Sequence, residues 1–166
     1  MLRKTARGGV TSPSRQLSAF YGKYDPAIAR LGRAAVAAVK RLMPRATVLV
    51  YDNYNALVIG FATSDRASDA IMSVALYPRW VTLFFFGWRS LPNPDRLVTG
   101  SGKIVRQVRL TSAAALADPR LRRLIAAAVR IHAPHFGGAG RGALVIKSVS
   151  ARQRPRRPDP GRRARR

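Results

Sequence analysis

The sequence predicts an α+β fold: a curved antiparallel sheet, a meander plus later strands, with N-terminal and C-terminal helices packed on it. Three observations carry this. Residues 81–86 (VTLFFF) are apolar on both alternating faces, as an internal strand covered on both sides must be. Short strand-like runs separated by turn signals surround them. Two Asp-Pro pairs outside the meander open stretches with apolar residues at helical spacing.

The length of 166 residues suits one domain burying roughly two-thirds of its unfolded surface. Residues 1–14 read as a mobile basic arm, 15–150 as the domain, and 151–166 as a disordered Arg/Pro-rich tail with nothing apolar to bury. Ser14 is placed to cap a short helix presenting Leu17, Phe20 and Tyr21, which Gly22 ends. Asp25-Pro26 starts a second helix. Ile28, Leu31, Ala35, Val39 and Leu42 form its apolar stripe, and Pro44 stops it.

Residues 47–51 and 54–61 read as strands joined at Asp52-Asn53, both of which tolerate the positive φ of a two-residue hairpin turn. A polar loop (62–69) leads to a strand at 70–77, and Pro78-Arg79 turns the chain into the apolar strand from Trp80. Asn93-Pro94-Asp95 predicts a helical turn through Leu97, and residues 103–110 a further strand. Asp118-Pro119 starts a helix with Leu121, Leu124, Ile125 and Ala128 inward. A Gly-rich connection (132–142) then precedes a last strand at 143–149.

The charge is extreme. Lys and Arg number 31 against 7 acids, all of them Asp, for a net +24. Such a balance favours polyanionic partners: nucleic acid, phosphorylated ligands or an anionic surface. The absence of Cys excludes disulfides, thiol nucleophiles and zinc–cysteine sites. No apolar run follows the basic N-terminus as in a signal peptide, and none approaches the ~20 residues of a membrane span. The expected location is cytoplasmic, with no membrane association.

Four stretches carry a family resemblance: FYGKYDPAIARL, YDNYNALVIGF, LPNPDRLVTGSGKIVRQVRL and IKSVSARQRPRR. With them the chain, over residues 16–155, resembles the YdhG-like family, a domain of unknown function. The resemblance implies a compact α+β domain with a curved antiparallel sheet and little about activity. Some relatives are described as frataxin-like iron chaperones. Ferrous iron prefers carboxylate oxygen, and seven scattered Asp on a chain of this charge make a poor acidic surface.

Gly100-Ser101-Gly102-Lys103 resembles the end of a phosphate loop, but Leu97 and Ile104 stand where that motif needs Gly and Ser or Thr, and a strand follows rather than a helix. Its milder reading is an anion nest beside Lys103, against a plain turn needing positive φ. Tyr51, Asp52, Tyr54 and Asn55, with Asn53 among them, form the densest polar-aromatic cluster, a candidate ligand rim or ordinary turn chemistry. Arg106 is the polar exception on the face of Ile104, Val108 and Leu110; it must snorkel to the rim, line a pocket or pair with a carboxylate, and of Asp52, Asp69 and Asp95 the preferred partner is Asp52. His132 and His135 lack companions for a metal site, and no triad or close carboxylate pair stands out. The expectation is a non-enzyme without cofactor or metal.

Two site sets follow. Tyr51, Asp52, Tyr54, Asn55, Gly100, Gly102, Lys103 and Arg106 would hold an anionic ligand or partner. Arg152, Arg154, Arg156, Arg157, Arg162 and Arg163 would bind nucleic acid non-specifically. The leading reading is a small non-catalytic module for an anionic ligand. The alternatives are a nucleic-acid-associated protein using its basic surface and tails, and an iron chaperone.

Overall fold

A computed structural model of the chain describes residues 11–87, 89, 91–92, 96–101, 103–137 and 142–159. Helices α1 (Pro13–Gly22) and α2 (Pro26–Leu42) precede a four-strand meander: β1 (Thr47–Asp52), β2 (Leu57–Ala62), β3 (Ala70–Leu76) and β4 (Val81–Phe86). Strand β5 (Val105–Leu110), helix α3 (Pro119–His132) and strand β6 (Leu144–Val149) complete the order. The strands form one open sheet, β5-β4-β3-β2-β1-β6. The fold is α+β, and no described helix is long and apolar enough to cross a membrane.

The sheet is mixed rather than wholly antiparallel, because β6 pairs with β1 in parallel. Strands β5 and β6 lie at opposite edges of the sheet with α3 between them in the chain, a long crossover of the kind a parallel pairing needs. Strand β4 is internal, but it lies second from the edge, between β3 and β5.

Cross-strand register sorts one face into apolar rows. Val50, Ile59, Val74, Leu83 and Val108 stand side by side across the sheet, as do Val48, Phe61, Met72 and Phe85. Helices α2 and α3 cover these rows with Ala35, Val39, Leu121, Leu124, Ile125 and Ala128. The approach is closest at Gly32 on α2, where a Cβ would sit 2.5 Å from Leu76 Cδ2. Only a residue without a side chain lets the helix settle that far onto β3.

Several local expectations change. Ser12, not Ser14, caps α1, accepting from Arg15 N at 3.4 Å. Asp25 stands at the N-cap of α2 without a side-chain capping bond, and its carboxylate lies 3.8 Å from Arg157 Nε. Asp118 does cap α3, accepting from Arg120 N at 2.8 Å. Leu42, the last residue of α2, is 42% exposed. The β1–β2 connection is not a two-residue turn: Asn53 N donates to Ala56 O, and Asp52 is the last residue of β1. Short 3-10 turns at Ala67–Asp69, Ala113–Ala117 and Ala133–His135 were not anticipated. The turn expected at 93–95 lies outside the described residues.

The largest change concerns the segment after β6. Residues 151–159 are not a loose tail; they fold back over the β1–β2 turn, and Arg156 is only 5% exposed. Backbone bonds hold the path: Ser150 N to Asp52 O and Arg154 N to Tyr54 O, both 2.9 Å. The reading from composition failed because what this segment buries is a charge rather than apolar surface. Residues 160–166 and 1–10 lie outside the described chain.

Candidate anion-binding groove

The groove is built on a buried charge cluster. Asp52 extends the alternation of Val48 and Val50, so its carboxylate faces the core in the row of Leu57, Leu76, Val81 and Leu110. It is fully buried, and two cations close on it: Arg156 NH2 donates to Oδ1 at 2.9 Å and Lys23 Nζ to Oδ2 at 2.5 Å. Arg156 also donates to the carbonyls of Asn53 and Tyr54. Gln153 links the parts, accepting from Lys23 Nζ at 2.9 Å and donating to Asp52 O at 3.0 Å. A buried carboxylate is tolerable only when paired and hydrogen-bonded, and this one is both.

Tyr24 completes the floor beneath the cluster. Its hydroxyl donates to Leu76 O at 3.0 Å and accepts from Leu57 N at 2.8 Å, while the Arg156 guanidinium lies 5.6 Å from its ring centroid. Burial pushes the phenol up to about 12, against the nearby Arg156 charge, which favours ionisation.

With Arg156 turned inward, its neighbours are turned outward. Arg154 and Arg157 are exposed and line a groove of about 1250 Å³ between the C-terminal segment and the β3–β4 turn. The opposite wall is Tyr77, Pro78, Arg79 and Trp80; Asn55, Pro155, Pro158 and Asp159 complete the lining. Tyr77 N donates to Trp80 O at 2.9 Å, which sets the two aromatic rings side by side across the hairpin. The rings stack with centroids 5.2 Å apart and planes inclined by 26°. Arg109 of β5, paired with Thr82 of β4, lies 4.1 Å from the Trp80 ring. Arg157 donates to Gly22 O at 3.3 Å, and Arg154 stands 5.5 Å from the Tyr54 ring.

The residues expected to form one ligand site lie at opposite ends of the sheet. Asp52, Tyr54 and Asn55 are at the end carrying the β1–β2 and β3–β4 turns; Gly100, Lys103 and Arg106 are at the other end, where β4 hands over to β5. Gly102 lies outside the described residues. Of the first set, Asn55 lines the groove and Tyr54 is exposed beside it. Tyr51 points to the other face, its hydroxyl buried without a hydrogen-bond partner. Of the second set, Gly100 has φ of 107°, and a Cβ there would lie 4.0 Å from Arg106 Cδ, so these two do meet. Thr99 pairs with Gln107 along the same edge.

Arg106 does share the core face, directly opposite Phe85, but it cannot reach Asp52. Strands β4, β3 and β2 intervene, a lateral distance of about 20 Å at the usual strand spacing. Ile104, expected on that face, precedes the strand and is 70% exposed. Among the candidate nucleic-acid contacts, Arg152, Arg154 and Arg157 are exposed, Arg156 is removed by its burial on Asp52, and Arg162 and Arg163 are outside the described residues.

The His132 and His135 rings lie 6.3 Å apart, and burial, then the charge of His135, lowers the His132 pKa. Among the described residues no three His, Cys, Asp or Glu side chains gather as a metal site would require.

Sequence reasoning passed over Tyr77, Arg79 and Trp80, reading Pro78-Arg79 only as a turn. The available signal was an aromatic on each side of a two-residue turn, where cross-strand pairing brings rings together. The chain matches no family model, no curated protein and no solved structure, so its likeness to the YdhG-like family rests on the quoted motifs.

Proposed function

We propose that this protein is a non-catalytic binding module for an anionic ligand, held in the groove between the β3–β4 turn and the C-terminal segment. The observation that carries this reading is the lining itself: Arg79, Arg154 and Arg157 around one concave surface with the Tyr77–Trp80 stack. Guanidinium groups remain charged at any physiological pH and match phosphate or carboxylate oxygens with paired donors. The turn bearing Arg79 is closed by strand pairing, and the segment bearing Arg154 and Arg157 is pinned by the Asp52 cluster, so a ligand would meet preorganised donors. Among the described residues of the lining Asp159 is the single carboxylate and there is no histidine, which leaves little for proton transfer near neutrality.

Inorganic triphosphate titrated into the protein by calorimetry tests the reading. Replacing Arg79 and Arg154 together by Ala should weaken binding about tenfold or more, since hydrogen bonds to charged groups contribute about 1.5–3 kcal/mol each. Unchanged affinity in a variant with an unaltered circular dichroism spectrum would remove the groove as the site.

A further inference from the structure

We infer that the ligand of this groove is single-stranded nucleic acid, with a base lodged against the Tyr77–Trp80 wall and its flanking phosphates on Arg79, Arg154 and Arg157. The inference rests on the anion-binding reading above and adds to it the class of ligand.

Three observations lead there. The first is the aromatic wall. A ligand recognised by charge alone needs guanidinium groups and no rings, whereas here two stacked rings share the lining with three arginines. Interleaved aromatic and basic side chains are how proteins hold unpaired bases, because every base has a π-face and every link a phosphate. Arg109, 4.1 Å from the Trp80 ring, helps to hold that ring in place.

The second is size. At about 1250 Å³ the groove exceeds the roughly 300–1,000 Å³ typical of small-molecule pockets, and its prolines at 78, 155 and 158 stiffen the walls. It suits a passing chain better than an enclosed mononucleotide.

The third is the charge of the whole molecule. A net +24 gives phosphates beyond the groove a favourable surface to follow, which a short ligand would not use. A duplex would meet the same field, but its bases are stacked on one another and cannot present a face to Tyr77 or Trp80.

The test uses the full chain and labelled strands of about 12 nucleotides, a length in the range one such site occupies. Anisotropy is read against strand, duplex of the same sequence, and inorganic triphosphate as competitor. The expected result has four parts. The strand binds more tightly than the duplex. It quenches the fluorescence of Trp80, seen as the part of the quench that Trp80→Phe abolishes. Tyr77→Ser and Trp80→Ala each weaken strand binding about tenfold, the scale of one lost base stack. Both lower the affinity for triphosphate by much less than the affinity for the strand. Should either aromatic variant fold poorly, the quench in the unaltered protein and the strand–duplex comparison still decide the matter.

Equal affinity for strand and duplex, or strand binding indifferent to both rings, overturns the nucleic-acid assignment. The anion-binding reading survives that result if triphosphate binding still falls when Arg79 and Arg154 are replaced. If triphosphate binding ignores those arginines, the reading beneath fails as well.

Discussion

Arg156 and Asp52 stand 104 residues apart in the chain and meet at 2.9 Å in the interior, where the side chains are 3% and 0% exposed. This contact turns an arginine-rich terminal segment into part of the fold. Arg156→Ala leaves the Asp52 carboxylate buried with Lys23 as its remaining cation. Breaking a buried pair from one side costs about 3–5 kcal/mol. Urea midpoints of the two proteins measure it; a change within about 0.5 kcal/mol, as at an ordinary surface site, would show that the guanidinium is not needed. Ending the chain after Ser150 should destabilise it by a comparable amount, and with it disorganise one wall of the groove.

Tyr24→Phe removes one hydroxyl and leaves two backbone groups, Leu57 N–H and Leu76 C=O, without that partner. The expected loss is about 1–3 kcal/mol in thermal or denaturant unfolding. The same hydroxyl sets an alkaline limit. Its folded pKa, about 12, lies above the ordinary tyrosine value, so the unfolded chain releases this proton first as pH rises. The stability contributed by Tyr24 is complete below the ordinary value and disappears as pH climbs through about 12. In Tyr24→Phe that part of the alkaline transition should be missing when followed by circular dichroism.

Asp118 has the opposite dependence. Bonds from the Arg120 side chain and backbone hold its carboxylate down to about 2. The folded state keeps this group ionised at pH values where the unfolded chain has already taken up a proton. Its contribution is therefore present above the ordinary carboxylate value and lost as pH falls toward 2. Asp118→Ala should melt earlier than the parent at neutral pH, and the difference should vanish as the scans are repeated down to about pH 2.

Gly142 meets the chain just before β1, where a Cβ would lie 2.0 Å from Ala46 O. The obstacle is backbone and cannot rotate away. Gly142→Ala should cost about 1–3 kcal/mol as overpacking does, and loosen the start of the β1–β6 pairing. A variant with an unchanged unfolding midpoint would mean that this approach relaxes freely.

The elements whose signals are local were readable in the sequence. The apolar alternation of β1 to β4, the Asp-Pro start of α3 and its inward Leu121, Leu124, Ile125 and Ala128 all appear where periodicity places them. What periodicity lacks is pairing direction: nothing in residues 144–149 says that they run parallel to β1. Asp52 was half legible. It continues the face of Val48 and Val50, the same argument that marked Arg106 as an exception on its own strand, yet its position beside Asn53 made it look like a turn residue. Its partner could not be found while residues 151–159 were read as solvated, because charge burial leaves no hydrophobic trace. The groove then escaped notice, since half its lining belongs to that segment.

Pairing of β6 with β1 also fixes an order of events during synthesis. When residues 47–52 leave the ribosome, their inner edge soon finds β2, while their outer edge and the second cation of Asp52 must wait for chain made about a hundred residues later. Contacts so distant in sequence are slow to form because loop closure precedes any gain from them. The nascent meander therefore carries an unpaired strand edge and an interior acid paired with Lys23 but not yet with Arg156, the kind of species chaperones recognise. Acquisition of β6 and Arg156 is the step that ends both exposures together.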